Sequence, residues 1–396
     1  MGAISPLFVV VLTIIIEVIG GGLLFPVLPY LVEQYSSNAF TIGLLAASFA
    51  IAQFFAAPVL GAISDRYGRR PIIILCTFGT AVAFFLFGLA NALWVMFVAQ
   101  ITNGLTGGVV STAQAYIADV SKSPEDRTQN FGLIGAAAGI GFIFGPLMGG
   151  ILGSIDLRLP VFVAGGVAVC NGIMAYCVLP ESLKERNTVP LSFQDFNPIR
   201  QLADLFGRAN LRSLLGGYLA FFMAFAGFTN VFVVLVRDRY GWGPVESGAI
   251  LVFVGVVASI VQGGLIRKLL PRFGEMRLLL VGMSMVSLAL ILVTISPRGY
   301  FLYGTQALFA FGIGIASPSL RGLLANNVAD DEQGKLSGGT QSLSSVTQIL
   351  GPLAAGWTYD NWGQVSPMLA GTVLVLVAIA LIGGQTIRKY RVSASV

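Results

Sequence analysis

The chain has no histidine at all, and only 10% of its 396 residues are charged. The first absence removes imidazole general bases, histidine metal ligands and histidine-centred nucleophile triads together. The second removes a soluble fold, since a globular protein of this length needs far more polar surface to cover itself. Cysteine is nearly missing too. Cys76, Cys170 and Cys177 all lie inside apolar runs, without paired metal-ligand spacing or a disulfide framework. No metal site, no cofactor and no enzymatic activity are expected. The formal charge of +5 is spread over many loops. That spread offers contact with anionic lipid and no groove-sized patch for nucleic acid.

What is abundant is apolar. Hydrophobic residues make up 56% of the chain, with a mean hydropathy of +0.84. Runs of about 20 apolar residues, each able to cross the hydrocarbon of a bilayer, follow one another with short polar breaks. About twelve are expected, at 6–33, 39–62, 71–90, 93–118, 129–153, 158–179, 211–236, 244–267, 277–296, 300–326, 335–357 and 366–387. All but four of the 23 Lys and Arg residues then fall in loops on one face; the exceptions are Arg158, Arg237, Arg239 and Arg298. The positive-inside rule puts that face, and both termini, in the cytoplasm. The first run is too long for a signal-peptide core and carries Glu17 in its middle, so it is expected to remain as a helix.

The sequence repeats itself. Gly145 to Gly150 (Gly-Pro-Leu-Met-Gly-Gly) recurs as Gly351 to Gly356 (Gly-Pro-Leu-Ala-Ala-Gly). At the same offset, Asp65-Arg66-Tyr67-Gly68 has a worn copy in Pro271-Arg272-Phe273-Gly274. The expected organisation is an all-α integral membrane protein: an N-terminal bundle of six helices over 1–180, a cytoplasmic linker over 181–210, and a C-terminal bundle over 211–396. In the linker, Pro198 to Arg208 has apolar residues at helical spacing and is expected to lie as a short helix on the membrane surface. Duplicated bundles are the architecture of secondary transporters.

Chemistry concentrates in few places. Arg66, Arg69 and Arg70 offer planar donors beside Gly68, with Asp119 and Asp65 as carboxylate partners and Asp65 placed to sit at a helix N-terminus. Gly135 and Gly139, and likewise Gly141, Gly145 and Gly149, are four apart, giving one helix a stripe without side chains. Pro146 kinks the same helix. A carboxylate in mid-membrane, Glu17, must face water, find a partner or take up a proton. The other polar side chains within apolar runs, Gln53, Asn103, Gln114, Asn230, Gln262, Gln306, Gln341 and Gln348, are sparse. Phe221, Phe222, Phe225, Phe228, Phe309 and Phe311 add flat surfaces. An apolar site with few polar groups suits an amphiphilic small molecule. Arg321, near the inner end of its run, either snorkels to headgroups or pairs with an acid. Asp330, Asp331 and Glu332 are expected to form an ion-pair cluster with Lys335.

The loop Gly61 to Pro71 resembles the motif between the second and third helices of the major facilitator superfamily. Gly141-Phe-Ile-Phe-Gly145-Pro146-Leu-Met-Gly149-Gly150 resembles the motif of its drug:proton antiporter branch. With Ile16 to Pro29 and Ile117-Ala-Asp119, the resemblance covers almost the whole chain and is nearest to tetracycline-efflux-like transporters. It implies two six-helix bundles around a central cavity, a multi-pass inner-membrane location, and a monomeric exporter driven by the proton gradient. Gly61, Asp65, Arg66, Gly68, Arg69 and Asp119 would then form a cytoplasmic gate, and Gly141, Gly145, Pro146, Gly149 and Gly150 would seal the bundles. Glu17, with Gln100 and Asn103, would couple protons or bind substrate. The family places an Arg where this chain has Gln100. The coupling His and Asp of the tetracycline exporters are replaced by Ala258 and Val286, which points away from tetracycline itself. A lipid translocator or a proton-coupled importer of the same fold, and more remotely a membrane enzyme, are the competing readings.

Overall fold

The computed structural model describes residues 6–121, 123–183, 203–208, 211–329 and 332–393. Every regular element in these segments is helical. Eleven of the helical stretches are long and apolar enough to cross a membrane. The twelfth expected span lies in a helix that is long enough, Gln333–Trp362, but its first half is rich in Ser, Thr, Gln and Gly. It is therefore a less apolar crossing than its neighbours.

Two expected spans are broken. The first is divided into α1 (Pro6–Leu24) and α2 (Leu28–Glu33), because Pro26 has no N–H to give and Pro29 sets the first turn of the second piece. The fourth is divided into α5 (Leu93–Leu105) and α6 (Val109–Val120). Between them stand Thr106, Gly107 and Gly108, and the neighbouring helix α3 (Ala39–Tyr67) presses on the break. A Cβ on Gly104 would lie 2.4 Å from the Phe49 carbonyl oxygen, and Gln53 Nε2 donates to the Gly107 carbonyl at 3.2 Å. Gln53 thus satisfies backbone released by the break, where the sequence suggested a ligand contact.

The chain divides into two compact units. Unit 1 holds 1–37, 45–196 and 242–252; unit 2 holds the remainder. In unit 1, α4 (Arg69–Gly88), α7 (Pro124–Ile155) and α8 (Leu159–Val178) join α1 to α3, α5 and α6. The later part of the glycine stripe of α7 does what its spacing suggests, while Gly135 faces open space. Added Cβ atoms on Gly141, Gly145 and Gly149 would lie 2.4, 2.6 and 2.4 Å from Val18, Gly22 and Leu23 of α1, so the two backbones touch. A Cβ on the next residue, Gly150, would lie 2.8 Å from the Pro244 carbonyl oxygen, and one on Gly248 would lie 2.6 Å from the Pro146 carbonyl oxygen.

Unit 2 is built from α9 (Arg212–Tyr240), the inner part of α10 (Pro244–Ile260), α11 (Ile266–Phe273), α12 (Glu275–Ile295), α13 (Phe301–Ala325), α14 (Gln333–Trp362) and α15 (Ser366–Ser393). It repeats the close approach of unit 1: a Cβ on Gly351 of α14 would lie 3.0 Å from the backbone N of Gly227 of α9. The worn copy of the basic loop keeps its conformation, with Gly274 at φ +75° where unit 1 has Gly68 at +113°. These are glycine conformations. Between α10 and α11 the helix widens into a π turn, Val261–Leu265, around Gly263 and Gly264. Asp360 at the end of α14 accepts the N–H groups of Ala39 and Phe40 at 2.9 and 2.8 Å, and so holds the first turn of α3 within unit 2.

Of the expected surface helix, 203–208 falls in the described residues and contains one helical turn, 203–206. Leu205 is buried there, against Gly339 of α14. Arg208 grips Glu332 with both terminal nitrogens at 2.6 and 2.7 Å, and this carboxylate holds its guanidinium still more firmly in the charged form. Glu332 was expected beside Lys335; the Lys335 side chain, Asp330 and Asp331 lie outside the described residues.

Candidate functional site

The basic loop of unit 1 builds a closed ion-pair cluster around Arg69, whose side chain is only 10% exposed. Its Nε donates to Asp119 Oδ2 at 3.2 Å and its Nη1 to Ser64 Oγ at 2.6 Å. Nη1 also pairs with Asp65, one helical turn earlier. Ser182 donates its hydroxyl to the same Asp119 oxygen at 3.0 Å. One guanidinium therefore ties the end of α3, the start of α4, the end of α6 and the segment after α8.

Asp65 occupies the last turn of α3, not the N-terminus of a helix as the sequence suggested. The start of α4 is capped instead by Glu181, which sequence reasoning missed. Its carboxylate accepts the backbone N–H of Arg69 at 2.9 Å and of Arg70 at 3.2 Å. Those are free donors at a helix start, and a negative charge is favoured there. The signal available was Pro180-Glu181-Ser182 directly after an apolar run, a helix stop followed by polar groups. Gly68 is fixed by this cap. Arg66 stands apart, exposed, with its guanidinium over the Tyr67 ring at 5.9 Å. Around Gly61 there is open space for a side chain, so no contact in this conformation calls for glycine.

Glu17 sits about two thirds of the way along α1, half-buried, and accepts a hydrogen bond from Thr80 of α4 at 3.3 Å. One turn earlier on the same helix, Thr13 donates to Asn171 Oδ1 of α8 at 3.1 Å. Unit 1 thus carries polar contacts between α1 and two neighbours in otherwise apolar packing. Gln100 and Asn103 come together, with Leu24, Ala83, Phe84, Phe87 and Ala99, around a narrow cleft. In this conformation it has no room for a drug-sized ligand. Thr80 and Asn171 were not singled out from sequence, since isolated polar residues in apolar helices do not reveal which helix they face.

In unit 2, Phe225 and Phe309 stack at 5.9 Å with a 6° interplanar angle, and Phe228 packs on Phe309 at 4.7 Å. Gln306 is buried with its Nε2 unpartnered among the described residues, and half-buried Asn230 has an unpartnered Oδ1. Gln262 is exposed on the π turn, Gln341 and Gln348 are exposed on α14, and Gln114 is half-buried on α6. The structure therefore separates the expected cavity candidates into both units.

Among the described residues, no group of His, Cys, Asp and Glu could hold a metal ion. The Major Facilitator Superfamily sequence model matches residues 10–346 and 268–389. The chain is 32% identical over 386 residues to the class C tetracycline resistance protein of Escherichia coli, covering 95% of this chain and 96% of that one. It is 28% identical over 379 residues to multidrug resistance protein 2 of Bacillus subtilis strain 168, covering 93% of each. Among solved structures, the nucleoside transporter NupG superposes with a TM-score of 0.79 at 14% identity, over 96% of this chain and 99% of that one. The repeated loops, the paired glycine helices and these likenesses agree that the chain is a multi-pass membrane protein belonging to the Major Facilitator Superfamily.

Proposed function

We propose that the protein exports a small amphiphilic compound across the plasma membrane by alternating access, in exchange for protons. The observation that carries this reading is Glu17: a carboxylate within an apolar helix, held among the described residues by the hydroxyl of Thr80. A group so placed is costly in an apolar span unless it exchanges a proton or meets a cation. The names of the relatives, resistance proteins for tetracycline and for multiple drugs, support export of drug-like molecules. The buried Arg69 cluster supports a cytoplasmic gate, because a desolvated, multiply bonded guanidinium forms one defined arrangement and must be broken as a whole.

Gln100 stands where the resemblance leads one to expect an Arg, so Glu17 carries the coupling without that cation. The experiment is transport into proteoliposomes loaded with a pH-sensitive dye. An outward-directed gradient of a substrate, found by screening dyes and antibiotics of either charge, moves protons the opposite way in the native protein. Substrate movement without any proton movement would sink the exchange mechanism.

A further inference from the structure

Unit 2 carries a cation without an ion-pair partner among the described residues. Arg321, exposed on α13 four residues before its end, forms no ion pair among the described residues. It lies within electrostatic range of Tyr218 of α9, whose hydroxyl is bonded to Ser344 of α14. From Tyr218 an aromatic wall continues along the unit. Tyr218 and Phe222 lie 4.4 Å apart, Phe222 and Phe225 meet edge to face at 6.3 Å, and Phe225 stacks on Phe309. Tyr218 and Phe309 are themselves buried, and the half-buried Phe222 and Phe225 leave the ring surface that a ligand can meet.

Beyond Phe309, one turn up the same helix, is Gln306, 2% exposed with an Nε2 that has no partner among the described residues. A buried amide donor left unbonded is costly, and such groups call for a ligand or water. From Phe309 to Arg321 is about 18 Å along a helix at 1.5 Å per residue, less the backward lean of the arginine side chain toward the helix N-terminus.

We infer that Arg321, the Tyr218 to Phe309 aromatic wall and Gln306 form a binding strip for an elongated aromatic amphiphile that carries an acidic group at its inner end. This rests on the exporter reading and narrows its substrate class. The cation takes the acid, the ring faces take the apolar body, and the amide at the far end bonds a carbonyl or ether oxygen. The same chemistry, an acid on an apolar body, also describes an anionic lipid, so the test must separate the two.

The probes are three pyrene compounds of one shape: pyrenebutyrate, its methyl ester, and a trimethylammonium analogue. Binding to the full-length protein in nanodiscs is read from pyrene fluorescence without any ion gradient. The acid is expected to bind at least about tenfold tighter than the ester and the cation, the worth of one charge-assisted hydrogen bond. Arg321→Gln removes that preference, Arg321→Lys retains part of it, and Phe225→Ala weakens all three probes alike. A native protein that does not prefer the acid, or an Arg321→Gln effect equal on acid and ester, overturns the inference. Should Arg321→Gln fail to fold, the comparison of the three probes on the native protein and on Arg321→Lys still decides it.

Nanodiscs of phosphatidylcholine alone and with phosphatidylglycerol separate the sources. Preference for the acid in both supports a solute site, and preference lost in phosphatidylglycerol assigns the strip to lipid headgroups and overturns it. Probe binding is read without a gradient and proton movement in dye-loaded proteoliposomes, so a failure of proton exchange and a failure of this site are read in different experiments.

Discussion

Glu181 closes over Gly68 so tightly that a Cβ on the glycine would lie 2.3 Å from Glu181 Oε2. The same glycine has φ +113°, a backbone that other residues adopt only with strain. Two independent constraints therefore fall on one position, and they can be told apart. Gly68→Ala should impair transport and change the labelling of a cysteine placed on the outer face. Adding Glu181→Ala should relieve the collision and leave the backbone strain, about 1–3 kcal/mol, so the double variant should recover only in part. Full recovery would mean that φ at this position is unimportant.

The Arg69 cluster makes a second prediction. Removing one member of a buried ion pair leaves the other charge uncompensated, which costs about 3–5 kcal/mol when both are buried. Asp65 and Asp119 are 45% and 25% exposed, so water offsets part of that, and roughly 1–3 kcal/mol is expected for Arg69→Ala. Arg69→Lys should not rescue it, because an ammonium cannot reach Asp119, Asp65 and Ser64 together as the planar fork does. Arg66→Ala, at an exposed position outside the cluster, should behave as the native protein. The checks are melting of the purified protein and the same outer-face labelling.

Much of this fold was legible because its signals are periodic. Span number, the internal repeat and the glycine stripe on α7 depend on spacing alone, and Gly145 does meet Gly22 where the stripe requires a close neighbour. What was not legible depends on which helix lies opposite. Glu181 is remote from Gly68 in the chain, and nothing local marks it as the cap of α4. Thr80 is one threonine among many until α1 places Glu17 against it. Gln53 was read as one of a sparse polar set lining an apolar cavity, and the chain break at Gly107, whose carbonyl it bonds, appears only on folding. Breaks in α1–α2 and α5–α6 were missed for the opposite reason: hydropathy continues through a Pro or Gly turn even when the helix does not.

Glu17 carries the third prediction. Glu17→Gln keeps the size and hydrogen-bonding capacity of the side chain and removes its ability to exchange a proton. It should fold as the native protein does and lose substrate-driven proton movement in dye-loaded proteoliposomes. Thr80→Val, which deletes the one described hydrogen bond to that carboxylate, should alter the rate while leaving proton movement in place. Normal pH-dependent export by Glu17→Gln would remove Glu17 from the mechanism.

The glycines of α7 provide their own control for the last prediction. At Gly145 an added methyl group would lie 2.6 Å from the Gly22 Cα, a backbone atom that cannot rotate away. At Gly135, on the same helix, nothing lies within 4 Å of the added carbon. In a helix interior Ala is otherwise favoured over Gly by about 0.5–1 kcal/mol, so Gly135→Ala should be neutral or slightly stabilising. Gly145→Ala must instead push α1 from α7, at a cost of about 1–3 kcal/mol for overpacking, and should lower the melting temperature and the transport rate together. Because both variants make the same chemical change in one helix, a difference between them can come only from the contact with Gly22. Equal melting temperatures would mean that the two backbones are not in contact there.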